Sequence, residues 1–166
     1  MTALELGAML TTGVMAGVYA AFSIMIMPAL RPSQPSTEPA AADHVAMAIS
    51  TMRSINRTAE RTPFRVLFFG TTLLALAVAL HEVLLSAESP NPLRLAGAAL
   101  SLSAFVITAV FHVPRNNRID ALAAEQSSAA DWARLATQWT YGNHVRAIGS
   151  ALGALAFGLS GYPGLG

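Results

Sequence analysis

The sequence predicts an all-α integral membrane protein: a bundle of four transmembrane helices with amphipathic helices in its two cytoplasmic connections. Of its 166 residues, 54% are hydrophobic and only 11% are charged. A soluble domain carries about 25% charged residues, so this chain has too few of them to cover a soluble surface. Disordered chains are rich in charge, which excludes disorder as well. The length allows one domain, residues 1–166.

Four apolar segments are long enough to cross a bilayer, which takes about 20 mostly apolar residues in a helix. They predict spans at about 5–30, 64–87, 92–114 and 143–161. The first segment lacks the basic start of a signal peptide, and its apolar run is longer than such a peptide needs. Val18-Tyr19-Ala20 does fit a small-residue cleavage pattern, but three further spans already commit the chain to the membrane.

The arginines predict the orientation of these spans. Nine of the ten lie in or beside the two long connections, and the opposite side has only Arg94. Basic residues are concentrated on the cytoplasmic side of membrane proteins. We therefore predict a multi-pass protein of the cell membrane with cytoplasmic long connections and both termini outside.

The first long connection contains an amphipathic pattern. Residues 31–39 are rich in Pro and Ser and predict a linker with turns. From about Pro39 to Glu60 the apolar residues recur at helical spacing, which predicts a helix at the interface or packed under the bundle. Its inward face comprises Val45, Ile49, Met52, Ile55, Asn56 and Ala59. Thr62-Pro63 then ends this helix before the second span.

The second long connection is also predicted to be helical. Pro114 is expected to end or kink the third helix, a short helical piece covers 119–125, and Ser127 or Ser128 caps a new helix. This last helix is expected to continue into the fourth span, since Gly142 alone would not break it.

One face of that last helix begins apolar and becomes polar. This face comprises Trp132, Leu135, Trp139, Asn143 and Arg146. Successive members are 3, 4, 4 and 3 residues apart. Asn143 and Arg146 are thus predicted to point into the bundle, where buried polar groups need partners. In the alternative, which position alone favours, Arg146 extends to lipid phosphate and Trp139 lies in the interfacial aromatic belt.

Two G-x-x-x-G motifs predict close helix contacts. They are Gly13 to Gly17 in the first span and Gly149 to Gly153 in the fourth. Small residues let helix backbones approach closely in lipid, so we expect the first and fourth helices to meet through them. Assembly of a homo-oligomer through these faces is the alternative.

Two segments resemble those of a known family. Val113-Pro114-Arg115-Asn116-Asn117-Arg118-Ile119 resembles a V-P-x-N-x-x-L segment, and residues 139–146 resemble a W-x-x-x-N-x-x-R segment. Residues 17–22, 27–30 and 52–57 and the aromatic-rich start of the second span add to the similarity, which covers nearly the whole chain. They resemble the anthrone oxygenase-like family of small four-helix membrane proteins. This resemblance implies oxidation of an anthrone to an anthraquinone by O2 without a cofactor.

The implied chemistry suggests roles for individual residues. A base must remove a proton from the substrate CH2, and donors must stabilise the resulting oxyanion. The expected catalytic residues are His112, Asn116, Trp139, Asn143 and Arg146, with His144 a weaker candidate for the base. A small hydrophobic aromatic substrate would lie against Asn56, Phe111 and Trp132. Structural roles for the three asparagines, as ties between helices, are the alternative.

The composition also bears on other classes of function. The chain lacks cysteine, which excludes disulfides, thiolate metal sites and iron–sulfur clusters, and its net charge of +1 gives no basis for binding nucleic acid. Three of its four histidines lie on the predicted cytoplasmic side, but their spacing matches no metal motif, so no metal or other cofactor is expected.

Two further hypotheses concern the membrane itself. Glu82 is expected at the outer interface, and its deep burial would favour a proton-coupled transporter, although the sequence shows no inverted repeat. A membrane scaffold or partner-binding subunit predicts polar residues packed against one another with no cavity. An enzyme predicts an apolar pocket with Asn143 and Arg146 in its wall.

Overall fold

The computed structural model describes residues 1–31, 39–86, 88–122 and 129–162, and all regular structure within these ranges is helical. The five helices are α1 (Ala3–Ala29), α2 (Pro39–Ala59), α3 (Thr62–Leu84), α4 (Pro92–Ala121) and α5 (Ala129–Leu159). In the described part of the chain, α1, α3 from Pro63 and α4 are long and apolar enough to cross a membrane. The all-helical class is thus confirmed, and three of the four predicted spans correspond to helices that are long and apolar enough to cross a membrane.

Four helices pack side by side. α1 packs against α3 and α5, and α4 packs against the same two helices, while α2 contacts the end of α4 and the first half of α5. Large apolar side chains face outwards on all four helices, among them Leu10, Leu73, Val110 and Leu152. Apolar surface on this scale is costly in water, so it fits surroundings of lipid.

The starts of α1 and α4 are fixed by local caps. Thr2 Oγ1 accepts a hydrogen bond from the Glu5 backbone N–H, and Glu5 Oε2 accepts one from the Thr2 N–H, which forms a capping box. Asn91 Oδ1 accepts bonds from the N–H groups of Leu93 and Arg94, and Pro92 opens α4. These caps satisfy donors that a helix start leaves unpaired.

Two prolines lie inside helices, each just after a π-helical turn. The turn at Phe22–Ile26 precedes Pro28, and the turn at Thr108–His112 precedes Pro114. A proline cannot donate to the carbonyl four residues earlier and its ring crowds that carbonyl, and the wider π turn relieves this conflict. Of the two outcomes expected at Pro114, an end or a kink, the end does not occur, because α4 continues to Ala121.

The first connection contains the predicted amphipathic helix. The second is helical up to Ala121 and again from Ala129, and residues 123–125 of its predicted short helical piece lie outside the described residues. In α2, Val45, Ile49 and Met52 are buried in a core that also contains residues of α4 and α5. The second connection has no separate helix in its described residues, since they extend α4 and α5. The predicted cap at Ser127 or Ser128 lies outside the described residues. α5 runs through Gly142 into the fourth segment as predicted.

The small-residue motifs only partly follow their prediction. A Cβ built on Gly13 would lie 3.8 Å from Ala154 Cβ, so α1 and α5 do approach each other there. A Cβ on Gly153 would instead lie 3.2 Å from the Gly97 carbonyl oxygen of α4, and nothing lies within 4 Å of a Cβ on Gly17. The motif of α5 therefore packs mainly against α4, whose own Gly97 gives it room.

Replacing Gly97 by alanine tests this packing. The new Cβ would lie 2.8 Å from Phe157 Cδ1, and Phe157 is fully buried and cannot move aside. We expect a loss of about 1–3 kcal/mol in unfolding free energy through overpacking, although alanine favours helix by about 1 kcal/mol. Thermal unfolding in detergent is the measurement. Gly70→Ala is the control because nothing lies within 4 Å of its Cβ. Equal melting of both variants would contradict the close contact.

A buried charge cluster joins three helix ends on the side opposite to α2. Arg94 Nη1 donates to Glu82 Oε1 at 3.0 Å, and Arg94 Nε lies 3.2 Å from Glu5 Oε1. Glu82 Oε2 also accepts from the Asn91 N–H at 2.7 Å. Glu82 is thus near the end of α3, as expected, but its side chain is only 1% exposed. Pairing with Arg94 explains this burial without a proton-relay function.

Candidate functional site

A polar cluster lies inside the helix packing where α1, α4 and α5 meet. It comprises Tyr19, Ser23, Thr108, Asn143 and Arg146, which we call the inner polar cluster. Asn143 is 0% exposed and Arg146 is 7% exposed. Both side chains therefore point inwards, as the face of α5 predicts, and Arg146 does not extend to the membrane surface.

Asn143 uses all of its hydrogen-bonding groups within this cluster. Its Nδ2 donates to the Tyr19 carbonyl oxygen and, at 2.8 Å, to Ser23 Oγ. Its Oδ1 accepts a hydrogen bond from Arg146 Nη2. The amide thus ties α1 to α5 and orients the guanidinium, and it keeps no N–H for another molecule.

Arg146 is a buried cation held by neutral groups. Its Nη1 donates to Thr108 Oγ1 at 2.9 Å, and its Cζ lies 4.3 Å from the centroid of the Tyr19 ring. Its Nε is buried without an acceptor, and no carboxylate of the described residues lies within ion-pair distance. A guanidinium has five N–H donors, so donors remain for an additional negatively charged oxygen.

An aromatic cluster borders the guanidinium. The His112 ring meets Trp139 edge-to-face at a centroid distance of 4.9 Å and lies 5.5 Å from Phe111, and the Phe22 ring lies 5.8 Å from the Trp139 ring. Arg146 Cζ is 5.7 Å from the Trp139 ring, which connects this group to the inner polar cluster. His112 is 1% exposed, and neither ring nitrogen has a hydrogen-bond partner in the described residues.

Asn116 joins the same assembly through Trp139. Trp139 Nε1 donates to Asn116 Oδ1 at 2.8 Å, and Asn116 is half-buried. All five residues predicted as catalytic from the sequence therefore lie in one connected group of side chains: His112, Asn116, Trp139, Asn143 and Arg146.

The two π turns supply two of the three groups on other helices that accept hydrogen bonds from Asn143 and Arg146. Ser23 lies in the turn of α1, and Thr108, Phe111 and His112 lie in the turn of α4. Inserted π turns change which side chains face inwards, and they occur frequently at functional sites. The prolines that follow them were the signal in the sequence.

Comparison with protein families identifies the family of this chain. The family model described as anthrone oxygenase matches residues 64–156. This is more than half of the chain, and it includes every residue of α4 and α5 in the two clusters. The chain belongs to the anthrone oxygenase family. Comparisons with curated proteins and with solved structures give no match.

In this member of the anthrone oxygenase family, some of the residues predicted from the sequence lie away from the two clusters. Trp132 is fully buried, and its Nε1 donates to the Leu30 carbonyl oxygen at 2.8 Å, so it ties α5 to the end of α1. Asn56, on α2, has a buried Nδ2 with no partner and no described contact with the clusters. His144 is exposed, as its position off the inward face predicts.

Sequence reasoning missed three residues of the inner polar cluster. Tyr19 and Ser23 lie four residues apart in the first span, a spacing that places them on one helix face, and Thr108 interrupts the apolar third span. Polar side chains at these positions were the available signal. Their partners on α5 lie far away in sequence, so the pairing itself left no local pattern.

Phe111 occupies the space beside His112. A Cβ on Gly142 would lie 2.6 Å from Phe111 Cδ1, so the ring fills a recess that exists because residue 142 has no side chain. Phe111 is half-buried, and Arg115 Cζ lies 3.3 Å from its ring centroid on the outer side. Phe111 thus fills the space beside His112 and Gly142, and neither of the two cavities described next has Asn143 or Arg146 in its wall, as the pocket expected for an enzyme would.

Two cavities lie elsewhere in the described structure. One, of about 10 Å³, is bordered by Tyr19, Thr71, Ser101 and Ser150, and it has room for a single water molecule. The other is a surface groove at the end of α4. Neither has His112, Asn143 or Arg146 in its wall. Among the described residues, no three histidine, aspartate or glutamate side chains form a group that could hold a metal ion.

Proposed function

We propose that this protein is a membrane-embedded oxygenase that uses O2 to oxidise an activated CH2 of an anthrone-like aromatic substrate to a carbonyl, without a cofactor. The observation that carries the proposal is that two buried groups in the region matched by the family both lie beside the Trp139 ring. They are a guanidinium without a carboxylate partner, Arg146, and an imidazole without a hydrogen-bond partner, His112.

The proposed reaction needs proton removal and stabilisation of charge. His112 takes a proton from the CH2, and the remaining electron pair is delocalised onto the ring carbonyl oxygen of the substrate. O2 then oxidises this anion at the same carbon. One oxygen atom stays as the new carbonyl, and the other leaves as water with the two hydrogens of the CH2. In total, CH2 and O2 give C=O and H2O.

Arg146 is the proposed oxyanion donor. Its Nε–H has no acceptor, and in buried surroundings a fixed donor stabilises negative charge more strongly than water does. Asn143 has the role of a positioning residue, since its amide already bonds Tyr19, Ser23 and Arg146. Asn116 holds Trp139, whose ring forms one wall for the substrate.

We propose that the substrate takes the place of the Phe111 ring. A flat aromatic molecule in that recess would contact Gly142 and lie beside His112, so the half-buried Phe111 must turn outwards to admit it. The substrate would thus replace one aromatic contact by another. Entry from the lipid suits a hydrophobic substrate.

We also propose that α5 is the fourth span of a multi-pass protein with cytoplasmic long connections and both termini outside. α5 packs between α1 and α4, two helices that can cross a membrane, and it exposes Val145, Ile148, Leu152 and Leu155 outwards. Asn143, His144 and Arg146 make it less apolar than the other three. The arginines of the two long connections support this orientation.

Oxygen uptake with dithranol, an anthrone, tests the function, with the protein-free rate subtracted. His112→Phe keeps an aromatic ring against Trp139 but removes the base, so we expect a rate loss of about 10²-fold to 10⁴-fold. His144→Phe is the matched control, because His144 is exposed, and its rate should stay within about twofold. Undiminished uptake by His112→Phe would show that His112 is not the base. Failure of the wild-type protein to exceed the protein-free rate would refute the proposed function.

A further inference from the structure

We propose that a groove at the end of α4 binds the phosphate group of an anionic phospholipid from the adjoining leaflet. The groove lies between the end of α4 and the first half of α5 and has a volume of about 330 Å³. It is lined by Arg118, Ala121, Leu122, Arg134, Leu135 and Gln138. This site is separate from the two clusters and does not depend on the oxygenase proposal.

The groove combines cationic and apolar side chains, which are complementary to the anionic phosphate and the acyl chains of a phospholipid. Arg118 and Arg134 are exposed, and guanidinium groups bind phosphate oxygens through paired hydrogen bonds. Leu135 is buried, and Leu122 is half-buried, so they offer an apolar surface to the glycerol and the upper part of an acyl chain. Gln138 adds an amide that can donate to the headgroup.

The charges around the groove leave it positive. Arg134 Nη2 lies 3.5 Å from Asp131 Oδ1, but both side chains are largely exposed, so this ion pair adds little stability. No ion pair of Arg118 occurs within the described residues, and no carboxylate is among the residues that line the groove.

The position of the groove along α4 matches the headgroup region. α4 begins at Pro92, and a helix rises about 1.5 Å per residue, so Arg118 lies about 39 Å further along it. The hydrocarbon core of a bilayer is about 30 Å thick, and the whole bilayer is about 40–45 Å thick. A spanning α4 therefore carries Arg118 beyond the hydrocarbon and into the layer of lipid headgroups.

A contact from α2 gives the groove a fixed wall. Arg53 Nη2 donates to the carbonyl oxygens of Asp120, at 2.9 Å, and Leu122, where α4 ends. Arg53 thereby satisfies carbonyl groups that the helix end leaves open and joins α2 to it. The end of α4, which forms one side of the groove, is thus held by α2.

Lipid, rather than free phosphate, is the occupant that the groove favours. A free phosphate ion would bind the two arginines but would gain nothing from Leu122 and Leu135. Anionic lipids are concentrated in the cytoplasmic leaflet, to which the arginines of this chain assign the groove.

Native mass spectrometry of the detergent-solubilised protein with dioleoylphosphatidylglycerol tests the proposal. We expect the wild-type protein to retain this lipid more tightly than dioleoylphosphatidylcholine. Arg118→Gln with Arg134→Gln should weaken retention about 30-fold, and each single change about fivefold, which is the contribution expected of a basic residue beside anionic lipid. The matched control is Arg57→Gln with Arg65→Gln, which removes the same charge from exposed positions elsewhere on that side. This control variant should change retention of the anionic lipid less than threefold, which is a smaller effect than the loss of one groove arginine.

Three results would overturn the proposal. The groove variant could retain the anionic lipid like the wild type, or the control could lose it equally, which would indicate general electrostatic attraction. Inorganic phosphate that displaces the bound lipid at millimolar concentration would show that the site recognises free phosphate. Because all four arginines are exposed, both variants should unfold at the wild-type temperature.

Discussion

Replacing Arg146 by methionine is expected to lower kcat/KM for anthrone oxidation by about 10²-fold to 10³-fold, the loss typical of removing an oxyanion donor. Methionine fills similar space without charge. The guanidinium is buried, lacks a carboxylate partner and has an Nε–H without an acceptor, so its charge is available to a substrate anion. Oxygen uptake over a range of anthrone concentrations gives the measurement.

Stability measurements separate this effect from loss of the fold. Arg146→Met leaves Asn143 Oδ1 and Thr108 Oγ1 without a donor, at a cost of about 1–3 kcal/mol each, but it also removes a buried charge. We therefore expect a modest fall in the thermal midpoint, far smaller than the loss of rate. Arg65→Met, at an exposed site on α3, is the control. If Arg146→Met keeps kcat/KM within about threefold of the wild type, an oxyanion role of this size is refuted.

Replacing Arg94 by methionine is expected to cause the largest loss of stability, about 3 kcal/mol. Breaking a buried ion pair on one side usually costs about 3–5 kcal/mol, because the remaining charge is left uncompensated. Here Glu5 and Glu82 would both remain buried without their cation. Because the side chain of Arg94 is 24% exposed, we expect a loss of unfolding free energy at the lower end of that range. Unfolding in mixed micelles by titration with dodecyl sulfate gives the free energy.

A triple variant distinguishes charge from packing in this cluster. Glu5→Gln and Glu82→Gln together with Arg94→Met remove all three charges and keep similar shapes, so most of the lost stability should return. Of the wild type, Arg94→Met and the triple variant, Arg94→Met would then be the least stable. A triple variant as unstable as Arg94→Met would show that packing, rather than uncompensated charge, holds these helix ends together.

The helices and their inward faces were predictable because these properties are local. Apolar runs located the helices, and the 3.6-residue period placed Val45, Ile49 and Met52 on the buried face of α2. The same period placed Asn143 and Arg146 on the helix face of Trp132 and Trp139, and all four residues are buried. This prediction required only that α5 be one uninterrupted helix, and α5 is uninterrupted.

The partners of those faces were not predictable, because helical periodicity gives a direction and not a neighbour. Asn143 bonds Tyr19 and Ser23 across more than a hundred residues, and the charge of Arg94 meets Glu5 from another helix. The π turns before Pro28 and Pro114 rotate the side chains that follow, which a regular helical period does not include. Local patterns thus predicted where the helices lie and placed Arg146 on the inward face of α5, while its position alone favoured the membrane surface, and the structure decided for the inward direction. Only the packing of distant segments decided which groups surround Arg146, because such contacts depend on how helices far apart in sequence meet.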